Sequence, residues 1–392
     1  MRILHVITTL DPRGGGPAES VRSLMSYNLL GYTGEAVTLD DPDAPFLKTL
    51  DFPVHALGPV KHSYPYMPRL YRWLQQNYQR FDGVVVNGLW NVCGMATYFA
   101  LKGKKRYMVF SHGMLDPYFK RASPPKHFKK WIYWVLVEYW VLRGAYRVLF
   151  TTMEESVLAR QSFWLHRWNG YVVPYGSSKP PHPAAVLLDA YYSAWPEMRG
   201  RRFMLFLGRI HRKKGCDMLI NSFAKYAALD PDLHLVMAGP DQQGWVAELK
   251  LQMEEAGVGD RVHWPGMLNG DVKWGAFYAC EVFILPSHQE NFGIAVAEAL
   301  ACGKAALLAD KVNIAPQIAA DGAGLIQRDD QTGTDALVHD WITMSTEART
   351  CMEQQALVTH HNRYDMEQNA ITILRLFGTT KSEPKNGLAG RE

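Results

Sequence analysis

Residues 281–303, EVFILPSHQENFGIAVAEALACG, carry the clearest fold signal in the chain. The stretch starts with a short apolar run, passes through a polar loop and continues with helical spacing up to Gly303, a natural helix stop. A short run that is apolar throughout is typical of a strand buried on both faces of a parallel sheet. The stretch therefore predicts one strand-helix unit of an α/β domain.

Similar apolar runs recur along the chain, with helix-like segments between them. The first half contains ILHVI, GVVVNG, YMVFSHG, RVLFTT and GYVVPYG, and the second half contains RFMLFLGR, LHLVMAGP, RVHWPG, EVFILPS, KAALLAD and GAGLIQ. A chain of 392 residues is longer than one ordinary core requires. The pattern predicts an α/β fold with two doubly wound, Rossmann-like domains that face each other across a cleft.

A Pro-rich stretch that begins SSKPPHP lacks a strand pattern and is predicted to connect the two domains. The predicted divisions are a first domain at 1–176, a linker at 177–200, a second domain at 201–358, a C-terminal helix at 359–378 and a flexible polar tail at 379–392. Ligands of such folds bind at the carboxyl ends of the strands, so the candidate site lies in the cleft.

The overall composition narrows the function classes. A formal net charge of +4 and an isoelectric point near 8.6 are too weakly basic to indicate a nucleic-acid partner without a clustered basic stripe. The apolar runs stay shorter than the roughly 18 residues that a membrane-spanning helix needs. MRILHVITTL favours a first core strand over a signal peptide. We expect a cytoplasmic protein whose membrane contact is at most peripheral.

The cysteines predict neither disulfides nor a zinc site. Their number is odd and no CxxC spacing occurs among them, which fits reduced thiols. They are Cys93, Cys216, Cys280, Cys302 and Cys351.

Two loops after predicted strands suit a phosphorylated ligand. Gly15 and Gly16 in GGGPAES would let the backbone approach a phosphate or sugar, although a tight structural turn explains them equally well. The loop is neither GxGxxG nor a Walker loop, which weakens a hydride-transfer interpretation. Arg209 and Lys214 in GRIHRKKG suit a diphosphate, since charge-assisted hydrogen bonds contribute roughly 1.5 to 3 kcal/mol each. A solvated basic loop is the alternative.

The loop and helix of residues 287–303 add two acids to these cations. Free amides near Phe292 and Gly293 would face a phosphate at the helix N-terminus. Carboxylates accept paired hydrogen bonds from vicinal hydroxyls, so Glu298 is predicted to hold a ribose and Glu290 a hexose. The alternative is that Glu290 caps the helix and Glu298 lies on a solvated face.

GRIHRKKG, AGP, VHWPG and above all the Glu-x7-Glu spacing of Glu290 and Glu298 resemble the retaining, GT-B type, group 1 (family 4-like) glycosyltransferases. The resemblance covers nearly the whole chain. SHGMLDP followed by a basic, aromatic helix is most similar to members that build bacterial exopolysaccharide, capsule or O-antigen, usually on a lipid-linked acceptor at the cytosolic membrane face. The family resemblance also implies that the last helix, for which residues 363–377 are the candidate, returns to the first domain.

The resemblance implies roles for individual residues. The implied catalytic residues are His112, Arg209, Lys214 and Glu290. The implied donor-binding residues are Gly15, Gly16, Gly239, Met267, Asn291, Phe292, Gly293 and Glu298. Asn291 stands where Gly is common in the family, so the donor sugar stays open. His112 by itself would more often be a core histidine.

The acceptor is expected on the first domain. Asn87, Trp90 and Asn91 in VNGLWN end a predicted strand and suit a sugar, with core packing of Trp90 as the alternative. Residues 120–143 interleave aromatic side chains with basic ones, among them Lys120, Arg121, Lys126, Lys129 and Lys130. This composition suits an anionic membrane surface, and a helix packed on the sheet is the alternative.

The implied reaction is transfer of a hexose from a nucleotide sugar to a sugar hydroxyl of a glycan or lipid-linked glycan. A UDP-sugar is favoured and a GDP-sugar is the other choice. No cofactor and no metal are expected. DDPD at 40–43 contains a DxD string that binds manganese in other glycosyltransferases, but a polar turn is predicted here. The alternatives are a nucleotide-sugar 2-epimerase of similar fold and a catalytically silent nucleotide-sugar-binding partner.

Overall fold

The computed structural model describes residues 1–25, 32–59, 67–117, 120, 124–242 and 244–378. Within this part, the first sheet has seven parallel strands in the order β3-β2-β1-β4-β5-β6-β7. Its strands are β1 Arg2–Val6, β2 Thr33–Thr38, β3 Val54–Ala56, β4 Gly83–Asn87, β5 Tyr107–Phe110, β6 Arg147–Phe150 and β7 Gly170–Val172.

A second parallel sheet follows, with six strands described, in the order β10-β9-β8-β11-β12-β13. Its strands are β8 Arg202–Leu207, β9 Leu233–Ala238, β10 Val262–Gly266, β11 Val282–Leu285, β12 Ala306–Ala309 and β13 Gly324–Gln327. Two parallel sheets with helical crossovers confirm the predicted α/β class.

Helices connect most consecutive strands. The first-domain helices are α1 Gly16–Met25, α2 Met67–Asn77, α3 Val92–Leu101, α4 Pro124–Tyr133, α5 Tyr139–Gly144 and α6 Met153–Ser162, with a π turn at Trp134–Glu138 that joins α4 to α5. The later helices are α7 Ala184–Ala194, α8 Cys216–Tyr226, α9 Val246–Glu255, α10 Gly270–Ala279, α11 Ile294–Ala301, α12 Ala315–Ala320, α13 Gln331–Thr343, α14 Thr346–Thr359 and α15 Met366–Gly378.

Burial explains why the strands could be predicted. All residues of β4, β5, β11 and β12 are buried, because both faces of each sheet are covered. The eleven predicted strands are present, and β2 and β3 are additional. β2 carries the buried acid Glu35, which is ion-paired with Arg2, His55 and Arg80.

The predicted linker contains α7, which packs against α10. Leu187 and Tyr191 are buried there, and a side chain at Gly275 would come within 2.0 Å of the Leu187 carbonyl oxygen. At the C-terminus, the ring of Phe377 in α15 lies against Gly83 of β4 in the first sheet. The exact domain bounds stay predictions, and the predicted tail at 379–392 lies outside the described residues.

Candidate functional site

The predicted site residues lie after the carboxyl ends of strands in both sheets. Gly15 and Gly16 follow β1, and Gly16 faces Ile294 at the first turn of α11 in the other domain. His112 follows β5, while Arg209 and Lys214 follow β8. The glycine loop of the first domain therefore lies opposite the helix that follows β11.

Lys214 and Glu290 form an ion pair in this cleft, with both side chains mostly buried. Burial would raise the pKa of Glu290, but Lys214, Lys213 and Arg209 outweigh it, so the pKa lies below its ordinary value. Burial lowers the pKa of the neighbouring Lys213 to about 8. The Arg209 side chain is exposed and donates to Gln242 Oε1 at 3.2 Å. Glu290 is thus an ionised acid among three cations.

Helix α11 begins beside this cluster without a side-chain cap. Its N-cap residue is Gly293, with a φ of 77°. Because Gly293 has no side chain to accept from the first-turn amides, those N–H groups can bind an anion. The helix dipole adds partial positive charge at the same end.

Glu298 lies in α11 but does not face solvent. It is 6% exposed, and Lys273 Nζ of α10 donates to its Oε1 at 2.6 Å. Burial raises the pKa of Glu298 above its ordinary value, Lys273 partly offsets this, and Glu19 of the first domain adds to the rise. Glu298 is therefore a buried acid paired with a cation, near α1 of the facing domain.

His112 belongs to a buried polar chain. The most consistent tautomer has His112 Nε2 donating to Asn87 Oδ1 at 3.3 Å, and Asn87 Nδ2 donating to His5 Nδ1 at 3.3 Å. Burial, and then the neighbouring His5, lower the pKa of His112 to about 3, so the ring is neutral near pH 7. Its Nδ1 is buried and has no hydrogen-bond partner in the part of the chain that the structure describes.

The loop before α11 contacts the first domain directly. Gln289 Nε2 donates to Asp116 Oδ2 at 2.6 Å, and Asn291 Nδ2 donates to Thr151 Oγ1 at 2.8 Å. Phe292 is buried, with its ring edge-on to Tyr175. The residue that departs from the family pattern, Asn291, is therefore one that crosses the cleft.

Two of the implied donor-binding residues, Gly239 and Met267, follow β9 and β10. Gly239 has a φ of 145°, and a side chain there would come within 1.8 Å of the Gly208 carbonyl oxygen, so only Gly fits where β8 and β9 end. Met267 is exposed. Both stand at the strand ends of the second domain, as the cleft prediction requires.

The three residues predicted for the acceptor are engaged within the first domain. Asn91 caps α3 by accepting from the Cys93 amide at 2.9 Å. The Trp90 ring packs against Phe163 and donates from Nε1 to the Met114 carbonyl at 3.1 Å. Asn87 is buried in the histidine chain. Sugar binding by these side chains stays a prediction.

Beneath Trp90 lies a buried acid that the sequence did not indicate. Glu138 belongs to the π turn, and its Oε1 accepts from the Trp90 amide at 2.6 Å. Its Oε2 has no partner among the described residues. Burial raises the pKa of Glu138 to about 7, and the Trp90 amide and Lys130 oppose that rise.

The segment predicted to touch a membrane is partly described. Lys120 and Lys129 are exposed, and Lys130 Nζ lies 4.7 Å from the Trp90 ring centroid. Arg121 and the side chain of Lys126 lie outside the described residues. Among the helices that the structure describes, none has the length and apolar character to cross a bilayer.

Two further residues were missed because their partners are distant in sequence. Lys273 has no motif around it, and only its contact with Glu298 reveals it. Glu155 is preceded by Thr152 in a T-x-x-E capping pattern, which signals a helix start and nothing more.

In the described ranges, no group of three or more His, Cys, Asp or Glu side chains could hold a metal ion. Asp40, which directly precedes the DxD string at 41–43, accepts from Thr9 Oγ1 at 2.5 Å and from the Leu10 amide at 2.9 Å.

Curated relatives align with part of this chain. A D-inositol 3-phosphate glycosyltransferase from Stackebrandtia nassauensis is 28% identical over 183 residues, which are 44% of this chain and 40% of the relative. The lipopolysaccharide core biosynthesis mannosyltransferase LpsB from Rhizobium meliloti is 28% identical over 106 residues, which are 26% of this chain and 30% of the relative. The chain thus spans less than half the length of these relatives.

Solved structures match nearly the whole chain. Anabaena Alr3699/HepE, solved in complex with UDP and glucose, has a TM-score of 0.76 at 18% identity over 97% of this chain and 100% of that one. Sucrose-phosphate synthase from Thermosynechococcus elongatus has a TM-score of 0.74 at 17% identity over 96% and 98%. At this identity the likeness shows the fold alone, and it confirms the predicted GT-B arrangement of two Rossmann-like domains.

Family models match both halves of the chain. The model for group 1 glycosyl transferases matches residues 193–357, and the model for a glycosyl transferase 4-like domain matches residues 15–176. Together they match most of the chain, in the order in which the two domains occur. The chain therefore belongs to the group 1, family 4-like glycosyltransferases.

Proposed function

We propose that this protein transfers a hexose from a nucleoside diphosphate sugar to a hydroxyl of a glycan. The observation that carries the proposal is the convergence of Arg209, Lys214 and the uncapped start of α11 around Glu290. Cations and backbone amides stabilise the negative charge that develops on a departing diphosphate. The carboxylate beside them is suited to sugar hydroxyls, which donate hydrogen bonds to it.

In the proposed reaction the anomeric configuration is retained. The bond between the anomeric carbon and the diphosphate oxygen breaks, and the acceptor oxygen bonds to that carbon from the same face. The acceptor proton passes to the departing phosphate oxygen. Arg209 and Lys214 hold the diphosphate, and Glu290 orients the hexose. His112, neutral at pH 7, would lie beside the sugar as a hydrogen-bonding group.

A uridine nucleotide is the donor class we favour. The fold neighbour Alr3699/HepE has been solved with UDP and with UDP-glucose, which supports a nucleotide-sugar donor for this chain. A GDP-sugar is the second choice, since Gly239 and Met267 would meet the base mainly through the backbone. We propose that the transfer needs no metal ion, because the cations named above can neutralise the diphosphate.

We also propose that the acceptor is lipid-linked and that the enzyme meets it at an anionic membrane surface. Four large apolar side chains stand out from α4, the π turn and α5 at four-residue intervals. They are Phe128, 69% exposed, Ile132, 50%, Leu136, 69%, and Trp140, 44%. Exposed Lys120, Lys129 and Arg143 flank this apolar stripe, as a membrane-facing helix requires.

The π turn helps to keep the apolar stripe on one side. In an unbroken α-helix, each four-residue step rotates a side chain by about 40°, so four such positions would spiral away from one face. A π turn with its i→i+5 bonds holds more residues per turn, and it turns part of that rotation back. The same turn carries the buried Glu138 on its inner side.

The function is tested by incubating the protein with UDP-glucose, or with GDP-mannose, and following the donor by NMR. Nucleotide release with an initially α-configured sugar product supports a retaining transferase. Conversion of the intact donor to an epimer would support the epimerase alternative. Nucleotide binding without any turnover, even with glycan or lipid-linked acceptors added, would support the silent partner.

A further inference from the structure

Glu155 is a buried acid that borders the cleft, and it is only 2% exposed. Its Oε1 accepts from Ser111 Oγ at 2.5 Å and from the Gly113 amide at 2.7 Å. Its Oε2 accepts from the Thr151 amide at 2.7 Å and from Thr151 Oγ1 at 2.6 Å. Asn291 Nδ2 donates to the same Oε2 at 3.2 Å. All of these donors are neutral.

Two of these contacts bear on the turn that carries His112. Ser111 and Gly113 flank His112 on either side, so Glu155 fixes the residue before it and the residue after it. His112 has a φ of 51° and Gly113 a φ of 74°. A left-handed conformation is unfavourable for a non-glycine residue, and it persists only where its surroundings hold it. The bonds to Glu155 are such a restraint.

The contact with Asn291 links Glu155 to the second domain. Asn291 follows Glu290 directly and bonds both Thr151 and Glu155. Gly113 allows this approach, because a side chain there would come within 2.5 Å of Asn291 Cγ. One buried carboxylate therefore touches both the turn that carries His112 and the loop that carries Glu290.

We propose that Glu155 is a positioning residue that sets His112 relative to Glu290 across the cleft. The inference rests on the proposed function, because it assumes that both residues act on one sugar. Thr152 Oγ1 accepts from the Glu155 amide at 2.9 Å, as in a helix cap. The carboxylate itself bonds residues 111, 113, 151 and 291, so its role extends beyond capping.

The test compares Glu155→Gln with Glu154→Gln, its exposed neighbour on the same helix turn. Glutamine keeps the shape of Glu155 but turns one acceptor oxygen into a donor that faces other donors. We expect kcat to fall roughly 10- to 100-fold with little change in donor KM, because misplacement by about 1 Å can cost a hundredfold. Glu154→Gln should keep wild-type kinetics. A wild-type kcat in Glu155→Gln would overturn the proposal.

Asn291→Ala supplies a second arm, since it removes the second-domain side chain that donates to Glu155 and to Thr151. We expect the fold-loss of kcat in the double variant to be smaller than the product of the fold-losses in Glu155→Gln and Asn291→Ala. Fully multiplicative losses would overturn the link across the cleft. If Glu155→Gln does not fold, Asn291→Ala alone decides. A lowered kcat at unchanged KM in Asn291→Ala supports the proposal, and wild-type kinetics overturn it.

Melting temperatures of the same variants keep this test separate from the proposed function. The decreases for Glu155→Gln and Asn291→Ala should combine to less than their sum, whether or not a substrate is turned over. If the wild type neither binds nucleotide nor turns over a donor, the proposed function fails, while the melting cycle still reports the contact. Additive decreases in melting temperature would show that the contact between Glu155 and Asn291 is absent. That result would overturn the inference about Glu155 and leave the proposed function untouched.

Discussion

The ammonium group of Lys214 is paired with the carboxylate of Glu290 inside the cleft. Lys214 follows β8 and Glu290 follows β11, and these two strands are neighbours in the second sheet. A diphosphate held by Lys214 would therefore stand beside a negative charge. The same carboxylate would be well placed for the hydroxyls of a transferred sugar.

Replacing Glu290 by Gln should separate its repulsion of the diphosphate from its orientation of the sugar. Without the acid, Lys214 is released and repulsion of the diphosphate is removed, so UDP should bind several-fold more tightly. Turnover of the nucleotide sugar should fall by two or more decades, because the sugar loses its orienting group. Calorimetry and steady-state kinetics on one preparation measure both quantities. Weaker UDP binding together with normal turnover would refute this role of Glu290.

Removing either proposed diphosphate ligand should slow the reaction. Arg209→Ala and Lys214→Ala are each expected to lower kcat roughly 100- to 1000-fold, by analogy with loss of one transition-state hydrogen-bond donor. Arg212→Ala is the matched control on the same turn, since its side chain is exposed and paired with Glu248 at 3.0 Å. If all three variants lost activity equally, general electrostatics would explain the effect and the specific assignment would be lost.

The strands could be predicted from the sequence because sheet interiors demand apolar residues on both faces. β2 escaped prediction since TGEAVT includes Glu35, whose burial is compensated by Arg2, His55 and Arg80 from other segments. β3 spans only three residues, too few to show a period. The local sequence pattern shows neither the distant cations that compensate the charge of Glu35 nor the pairing of a strand as short as β3.

Glu298 is predicted to hold the ribose of the donor. Glu298→Gln should weaken UDP binding roughly 10- to 100-fold, the value of a buried charge-assisted hydrogen bond of about 1.5 to 3 kcal/mol. Binding of 2′,3′-dideoxy-UDP, which lacks the ribose hydroxyls, should change far less. Equal losses for both nucleotides would mean that Glu298 acts only through its pair with Lys273.

Glu138 should make stability depend on pH. Burial raises the pKa of Glu138 from an ordinary 4.5 to about 7. The stability that the protonated side chain contributes is therefore fully present below pH 4.5 and is lost as the pH rises through 7. Between pH 6 and 8 the wild type should lose about 1 kcal/mol relative to Glu138→Gln, whose side chain stays neutral. Melting temperatures at pH 6, 7 and 8 measure the difference. A difference that stays constant with pH would contradict the buried, protonated state.

The apolar stripe should govern membrane binding. Leu136→Glu is expected to reduce co-sedimentation with anionic phospholipid vesicles by roughly tenfold or more, because burying a leucine is worth about 1.5 to 3 kcal/mol. Leu251→Glu is the matched control, since Leu251 is similarly exposed, at 66%, on α9 of the other domain. Equal vesicle binding by the two variants would rule out the stripe as the docking surface.

The cations and acids of the candidate site could be predicted from the sequence, but the residues that hold them could not. Lys214 and Glu290 stand in short patterns after strands, where local spacing is informative. Glu155 meets Asn291 across 136 residues, and Lys273 meets Glu298 across 25. Such pairs depend on how the two domains and their helices pack, which no local pattern encodes. Asn91 shows the converse, since a polar residue after a strand proves to be engaged as a helix cap.

The nucleotide-sugar assignment is best tested by calorimetric titration of the full chain with UDP, GDP and ADP in the presence of EDTA. We predict that one nucleotide, UDP in the first instance, binds without metal and that Arg209→Ala weakens this binding. If none of the three bound at millimolar concentration, the cleft would not be a nucleotide-sugar site and the proposed reaction would be wrong.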